Sequence, residues 1–169
     1  MVRISKEIVF VLMLILLVNC RTDKNVPDFE LQTLDGKIIT SEELRGKIVL
    51  LDFWDTRCGP CIQLMPHMEK LYSKYKDNPD IVIFIVNAGW QSIDEAKSYV
   101  SNHNYDLPFT YMTKQESRKL KVREIPKTIL IDKQFKYRLQ YVGYDGYDPD
   151  KDTGPVAETE ELIKKLLAE

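Results

Sequence analysis

A single junction limits most what this chain can become. Ile48-Val49-Leu50-Leu51-Asp52-Phe53-Trp54 is nearly all apolar and β-prone, and after the short turn Asp55-Thr56-Arg57 it runs into Cys58-Gly59-Pro60-Cys61. Such a run reads as a strand buried on both faces, hence an inner strand of an α/β sheet. Pro60 suits the first turn of a helix. Leu64, Met68, Leu71 and Tyr75 continue the helical pattern, with Pro66 expected to kink it. Two cysteines three apart therefore stand where a buried strand gives way to a helix N-terminus.

That placement suits redox work. The unpaired N–H groups and positive dipole end of a helix stabilise a thiolate, and the thiolate is the attacking species in disulfide exchange. Cys58 reads as the exposed nucleophile and Cys61, a turn further in, as the thiol that resolves the mixed disulfide. The chemistry calls for no cofactor and no metal. Competing readings fit less well. A structural disulfide here would close too short a loop to stabilise much. A zinc site wants two more ligands, and His67 and His103, the only histidines, make no ligand pattern. Ordinary core cysteines leave the intervening Gly-Pro unexplained.

Around this junction, strands and helices alternate. Phe29-Glu30-Leu31 and Lys37-Ile38-Ile39 flank Asp35-Gly36, a hairpin signal. A helical turn starts at Ser41-Glu42-Glu43-Leu44 and ends at Gly46. A second buried strand is expected over Ile81–Val86, a helix over Asp94–Asn102, a short strand over Phe109–Met112 and a helical turn over Glu116–Leu120. Thr128–Ile131 and Tyr137–Val142 read as a second hairpin, an acidic Gly/Tyr loop spans 143–155, and Glu158–Leu167 is a closing amphipathic helix. The pattern predicts an α/β sandwich around a mixed sheet.

The N-terminus has its own logic. Arg3 and Lys6 precede the apolar run Ile8–Val18, whose eleven residues would make a helix of about 16 Å, short of the roughly 30 Å hydrocarbon core. A secretory signal fits better than a spanning helix. Leu17-Val18-Asn19-Cys20 resembles the lipobox of bacterial lipoproteins, which implies lipidation of Cys20, although Asn19 departs from the small residue usual before that cysteine. The alternative is an uncleaved signal-anchor with an incidental cysteine. The expected organisation is a lipoprotein-type signal over 1–19, a tether over 20–27 and one domain over 28–169, exported and held near a membrane on the periplasmic side or cell surface. Beyond residue 20 the chain carries 22 basic and 25 acidic residues, which argues against nucleic acid as a partner.

The segment Asp52-Phe53-Trp54-Asp55-Thr56-Arg57-Cys58-Gly59-Pro60-Cys61 resembles the active site of thioredoxins. Ile125-Pro126, followed by Thr128-Ile129-Leu130-Ile131-Asp132, resembles that family's cis-proline loop and next strand, and Pro66 its helix kink. The leading hairpin and the insertion around 88–108 are more similar to the exported TlpA/ResA-type thiol-disulfide reductases. The resemblance covers about 27–169. It implies a thioredoxin-like fold with an N-terminal hairpin and a central insertion. The activity implied is reduction of disulfides in exported proteins, with an upstream membrane or soluble thiol donor. A lone buried carboxylate is costly, so Asp52 should be protonated, hydrogen-bonded or functional. The resemblance gives it the role of taking the proton from Cys61. It also implies that Ile125, Pro126, Gly59 and Pro60 form the surface that meets a substrate peptide, with Trp54 packed beneath the motif and contributing to that surface.

Three departures stand out. Arg57 occupies the place of the usual Trp and is expected to tune the Cys58 pKa, Asp55 replaces a small residue, and Leu64 stands where TlpA/ResA-type proteins often carry a buried glutamate. A peroxiredoxin-type peroxidase is a weaker alternative, since it would want Thr where Asp55 stands. A non-enzymatic metal-binding or partner-docking module is another. Asp148-Pro149-Asp150-Lys151-Asp152-Thr153-Gly154 echoes a calcium loop, but its glycine is one place late and Thr159 stands where a glutamate is needed. A solvated acidic loop is the better reading.

Overall fold

The computed structural model describes residues 25–144 and 155–169. The signal segment with Cys20 and the acidic loop with its calcium-like sequence lie outside them. No helix among the described residues is long and apolar enough to cross a membrane.

Seven strands form one mixed sheet: β1 Glu30–Thr33, β2 Ile38–Thr40, β3 Ile48–Trp54, β4 Ile81–Asn87, β5 Phe109–Tyr111, β6 Lys127–Ile131 and β7 Tyr137–Val142. Their spatial order is β2-β1-β5-β4-β3-β6-β7. β3 runs parallel to β4 and antiparallel to β6, so it is central, as its unbroken apolar run requires. Every residue of β3 is buried. Both expected hairpins form, β1 with β2 and β6 with β7, the second carrying an irregularity at Leu130/Ile131.

Among the described residues four α-helices accompany the sheet, α1 Gly59–Tyr75, α2 Ile93–Ser101, α3 Lys114–Lys119 and α4 Pro155–Leu167, besides the 3-10 turn Ser41–Leu44. Strand alternation divides the apolar residues into two cores. Ile48, Leu50 and Trp54 face Cys61, Met65 and Met68 of α1 and Ile163 and Leu166 of α4. Val49, Leu51 and Phe53 face the other way, onto Phe29, Met112, Leu120 and Phe135. α1 continues through Pro66, which is exposed on its surface. The capping residues explain where α2 and α3 begin. Ser92 forms a reciprocal capping box with Glu95, and Thr113 accepts the Glu116 N–H, so both helices start one or two residues before the apolar pattern alone predicts.

Candidate active site

β3 ends at Trp54 and the chain turns at once, with the Cys58 N–H donating to Asp55 O at 3.0 Å. Cys58 becomes the N-cap of α1, Pro60 lies in its first turn, and Cys61 N–H donates to Cys58 Sγ at 3.2 Å. The helix thus aims an orphan N–H and its positive end at the first sulfur. Cys58 and Cys61 are joined as a disulfide. Their environments differ sharply. Cys58 is half-buried between exposed neighbours Arg57, Gly59 and Pro60, whereas Cys61 is only 1 % exposed and packs in the core beneath. An incoming thiol or disulfide can reach the first sulfur and not the second.

Asp52 occupies the middle of β3, and strand parity puts it on the α1 face together with Leu50 and Trp54. It is 2 % exposed, and Thr128, its register partner on β6, donates Oγ1–H to Asp52 Oδ1 at 2.9 Å. Burial pushes its pKa up to about 7, while the Thr128 hydroxyl pulls it down. The acid can therefore hold or release a proton near neutral pH on the helix face that carries Cys61. Leu64, buried in the same core, supplies no second carboxylate there.

The Ile125–Pro126 peptide is cis. Phe53 pairs with Lys127 across β3 and β6, and continuing that register brings Pro126 and Ile125 to the end of β3 where the cysteine loop begins. Ile125 is half-buried, while Gly59 and Pro60 are exposed. Trp54 needs correction. At 1 % exposure, between Tyr99 and Phe109 with ring centroids 5.3 Å from each, it packs beneath the loop and presents no surface to a substrate.

Arg57 does not stand alone beside Cys58. Its backbone N–H donates to Asp55 Oδ1 at 2.9 Å and its Nε lies 3.3 Å from the same oxygen. The guanidinium side chain is 71 % exposed and the carboxylate 5 %. Asp55 and Arg57 are thus a pair, and any charge effect on Cys58 comes from both. The opposite charges at i and i+2 are the sequence signal that joins the two positions.

Gln91 is a further residue that sequence reading missed. Its Oε1 accepts both the Thr56 N–H at 3.1 Å and the Thr56 hydroxyl at 2.8 Å, while its carbonyl accepts the Tyr111 hydroxyl at 3.2 Å. It clamps the cysteine loop from the central insertion, and nothing in the local sequence marks it for that task.

Comparison with known proteins agrees with this geometry. A profile of the AhpC/TSA family matches residues 22–139. The thiol-disulfide oxidoreductase ResA of Bacillus cereus is 35% identical over 125 residues, spanning 71% of this chain and 69% of that protein. The thioredoxin-like protein YneN of Bacillus subtilis is 31% identical over 117 residues, 69% of each. A solution structure from Bacteroides thetaiotaomicron, described as a protein disulfide isomerase, superposes with a TM-score of 0.73 at 26% identity, covering 88% of this chain and 91% of that one. With the thioredoxin-like fold and the Cys58–Cys61 disulfide, these likenesses establish that the chain belongs to the AhpC/TSA family, and that it is a thiol-disulfide oxidoreductase acting on disulfide-bearing partners.

Proposed function

We propose that the protein works as a reductase of disulfides in exported proteins. The observation that carries the reading is the asymmetry of the two sulfurs, one accessible at a helix N-terminus and one sealed in the core. In the reduced protein the Cys58 thiolate attacks a substrate disulfide. One substrate sulfur leaves as a thiolate and a mixed disulfide forms through Cys58. Asp52 takes the proton of Cys61, whose thiolate attacks Cys58 Sγ and frees the second substrate thiol. The substrate gains two electrons and two protons, and the protein is left with the Cys58–Cys61 disulfide. An upstream thiol donor, membrane-bound or soluble, then restores the dithiol. The reducing direction rests on the Gly59-Pro60 dipeptide and on Ile125 before the cis-proline, both similar to reducing members of the thioredoxin-like group.

Cys61→Ser should accumulate covalent complexes with substrate proteins through Cys58, whereas Cys58→Ser should abolish both turnover and trapping. Equal trapping by the two variants would overturn the assignment. Peroxide consumption that depends on Cys58 and outpaces disulfide reduction would favour a peroxidase instead.

The reading extends to location. The basic start, the short apolar run and Leu17-Val18-Asn19-Cys20 support export with loss of residues 1–19 and acylation of Cys20. Acyl chains would then hold the domain at the membrane, firmly only with more than one chain. Intact mass of the detergent-extracted protein should show the added acyl groups, and Met1 on the mature chain would remove the lipid anchor from the proposal.

A further inference from the structure

Between Trp90 and α3 lies a cleft of about 630 Å³ lined by Trp90, Lys114, Arg118, Val122 and Arg123. Two contacts hold its walls together. Ala88 O accepts the buried Ser117 hydroxyl at 2.9 Å, which ties the end of β4 to α3. Gly89 follows at φ +71°, so close to the Met112–Lys114 backbone that a Cβ there would stand 2.2 Å from Met112 O. This contact seats the next residue, Trp90, over the start of α3. Trp90 is one of few large apolar side chains on the described surface, at 37 % exposure. Lys114 and Arg118 are four apart and share one face of α3. Val122, buried, and Arg123, exposed, complete the lining.

Among the described residues, no carboxylate compensates the charge of the cleft. Lys114, Arg118 and Arg123 are exposed, and none pairs with a carboxylate among the described residues. Glu116, the acid of the same helix, is occupied by Lys119 at 2.7 Å and by the Glu30 N–H. Three cations with no carboxylate partner among the described residues, around an exposed tryptophan, stand out on a chain whose formal net charge is −2. Their position relates them to the redox site. Trp90 is the chain neighbour of Gln91, which clamps Thr56, and Arg123 precedes the cis Ile125–Pro126 peptide by two residues. Through these neighbours the cleft is linked along the chain to both loops that present Cys58.

We infer that the cleft between Trp90 and α3 docks an acidic segment flanking the disulfide of the substrate protein. This rests on the thiol-disulfide exchange proposed above and names the kind of polypeptide that the site selects. Aspartate and glutamate side chains meet the three cations, and Trp90 covers the apolar part of the same segment. Such complementarity acts mainly on encounter and register, so it selects among disulfides without altering the exchange step.

The test uses matched disulfide peptides carrying glutamates, glutamines or lysines beside the cysteine, and the full folded domain. At low ionic strength the glutamate peptide should react with a kcat/KM about tenfold above the glutamine peptide. The gap should close as salt shortens the screening length to several ångströms. The triple variant K114E/R118E/R123E should reverse the ranking and favour the lysine peptide, a gain that misfolding cannot produce. Equal rates for the three peptides, or an unchanged ranking in the triple variant, would overturn the inference. Calorimetry with serine-substituted peptides separates docking from chemistry. If none of the disulfides is reduced yet the glutamate peptide binds more tightly than its glutamine analogue, the exchange reading fails and the docking surface stands. If vesicles of phosphatidylglycerol and phosphatidylcholine bind through the three cations while the peptides bind alike, the cleft meets membrane and the proposal is wrong.

Discussion

Thr128 Oγ1 donates to Asp52 Oδ1 at 2.9 Å across the β3–β6 pair, in a site where the carboxylate is 2 % exposed. The hydroxyl offsets only part of the cost of burial, so the acid settles at about 7 instead of its ordinary 3.8. A group poised there has consequences for both stability and rate.

Stability should fall with rising pH because of Asp52. Its folded pKa lies above its unfolded one, so the native state binds the proton more tightly. The stabilising contribution is fully present below about pH 4 and is lost as pH climbs to about 7, levelling off above that value. Three pKa units correspond to about 4 kcal/mol. Asn at this position keeps an acceptor for Thr128 and never charges, at the cost of an amide that wants partners of its own. Asp52→Asn should therefore gain on the parent as pH rises, reaching about 2 kcal/mol of added stability at pH 8. Urea unfolding of both proteins in the disulfide form, from pH 4 to pH 9, measures the difference. A constant gap across that range would contradict the assigned protonation.

The same substitution should damage catalysis. We expect Asp52→Asn to slow resolution of the mixed disulfide by about 10²-fold, the scale for a lost general base, with first attack by Cys58 much less affected. Thr128→Val removes the hydrogen bond that lowers the Asp52 pKa. The pH midpoint of the resolution rate should consequently move upward, while its plateau at high pH is retained. A midpoint common to parent and Thr128→Val would dissociate Asp52 from the step. Rapid mixing of Cys58-linked peptide disulfides reads both quantities.

Asp55 and Arg57 should act on Cys58 with opposite signs. Removing the guanidinium in Arg57→Gln leaves the buried carboxylate near the sulfur and should disfavour the thiolate. Asp55→Asn leaves the cation and should favour it. Arg57 is largely exposed, so each shift should be no more than roughly one unit. The double variant should titrate close to the parent. Ultraviolet thiolate absorbance against pH in the reduced proteins decides the matter. Coincident curves for all four would mean that the pair only shapes the loop.

Much of this architecture was legible in the residues, and the exceptions have physical causes. β3 and α1 could be read because burial on both faces and a helical apolar stripe leave direct marks on sequence. Asp52 announced itself as an acid in an apolar run, yet nothing pointed to Thr128, because a partner 76 residues away is set by strand register. Trp54 was read as partly a contact surface because sequence does not say how deeply the end of a strand is covered; Tyr99 and Phe109 cover it. Gln91 and the Trp90 cleft were invisible for a related reason. Both depend on how the central insertion folds back over α3, and that docking is fixed by Gly89 and Ser117, not by any local periodicity.

Three glycines separate the ways an added methyl can cost stability. Gly59 opens α1 with nothing within 4 Å of its missing Cβ, and its backbone is outside the left-handed region. Gly59→Ala should change unfolding free energy by no more than about 0.5 kcal/mol, since only helix propensity and chain entropy are at stake. Gly46 also has open space, but its φ is +80°, so Gly46→Ala should cost about 1–2 kcal/mol, the conformational penalty alone. Gly89 combines φ +71° with a position where an added Cβ would stand 2.2 Å from Met112 O, 2.6 Å from Lys114 N and 2.7 Å from Thr113 C, all of them backbone. No side-chain rotation can relieve those contacts, so the 88–91 loop must lift from α3, and Gly89→Ala should cost about 3 kcal/mol or more. Lifting the loop also loosens Gln91 from Thr56, so Gly89→Ala should react more slowly with peptide disulfides, whereas Gly46→Ala, outside the cysteine loop, should not. Chemical denaturation of the three variants in the disulfide form gives the stability order, and an equal loss at Gly46 and Gly89 would show that the close packing of the loop on α3 contributes nothing.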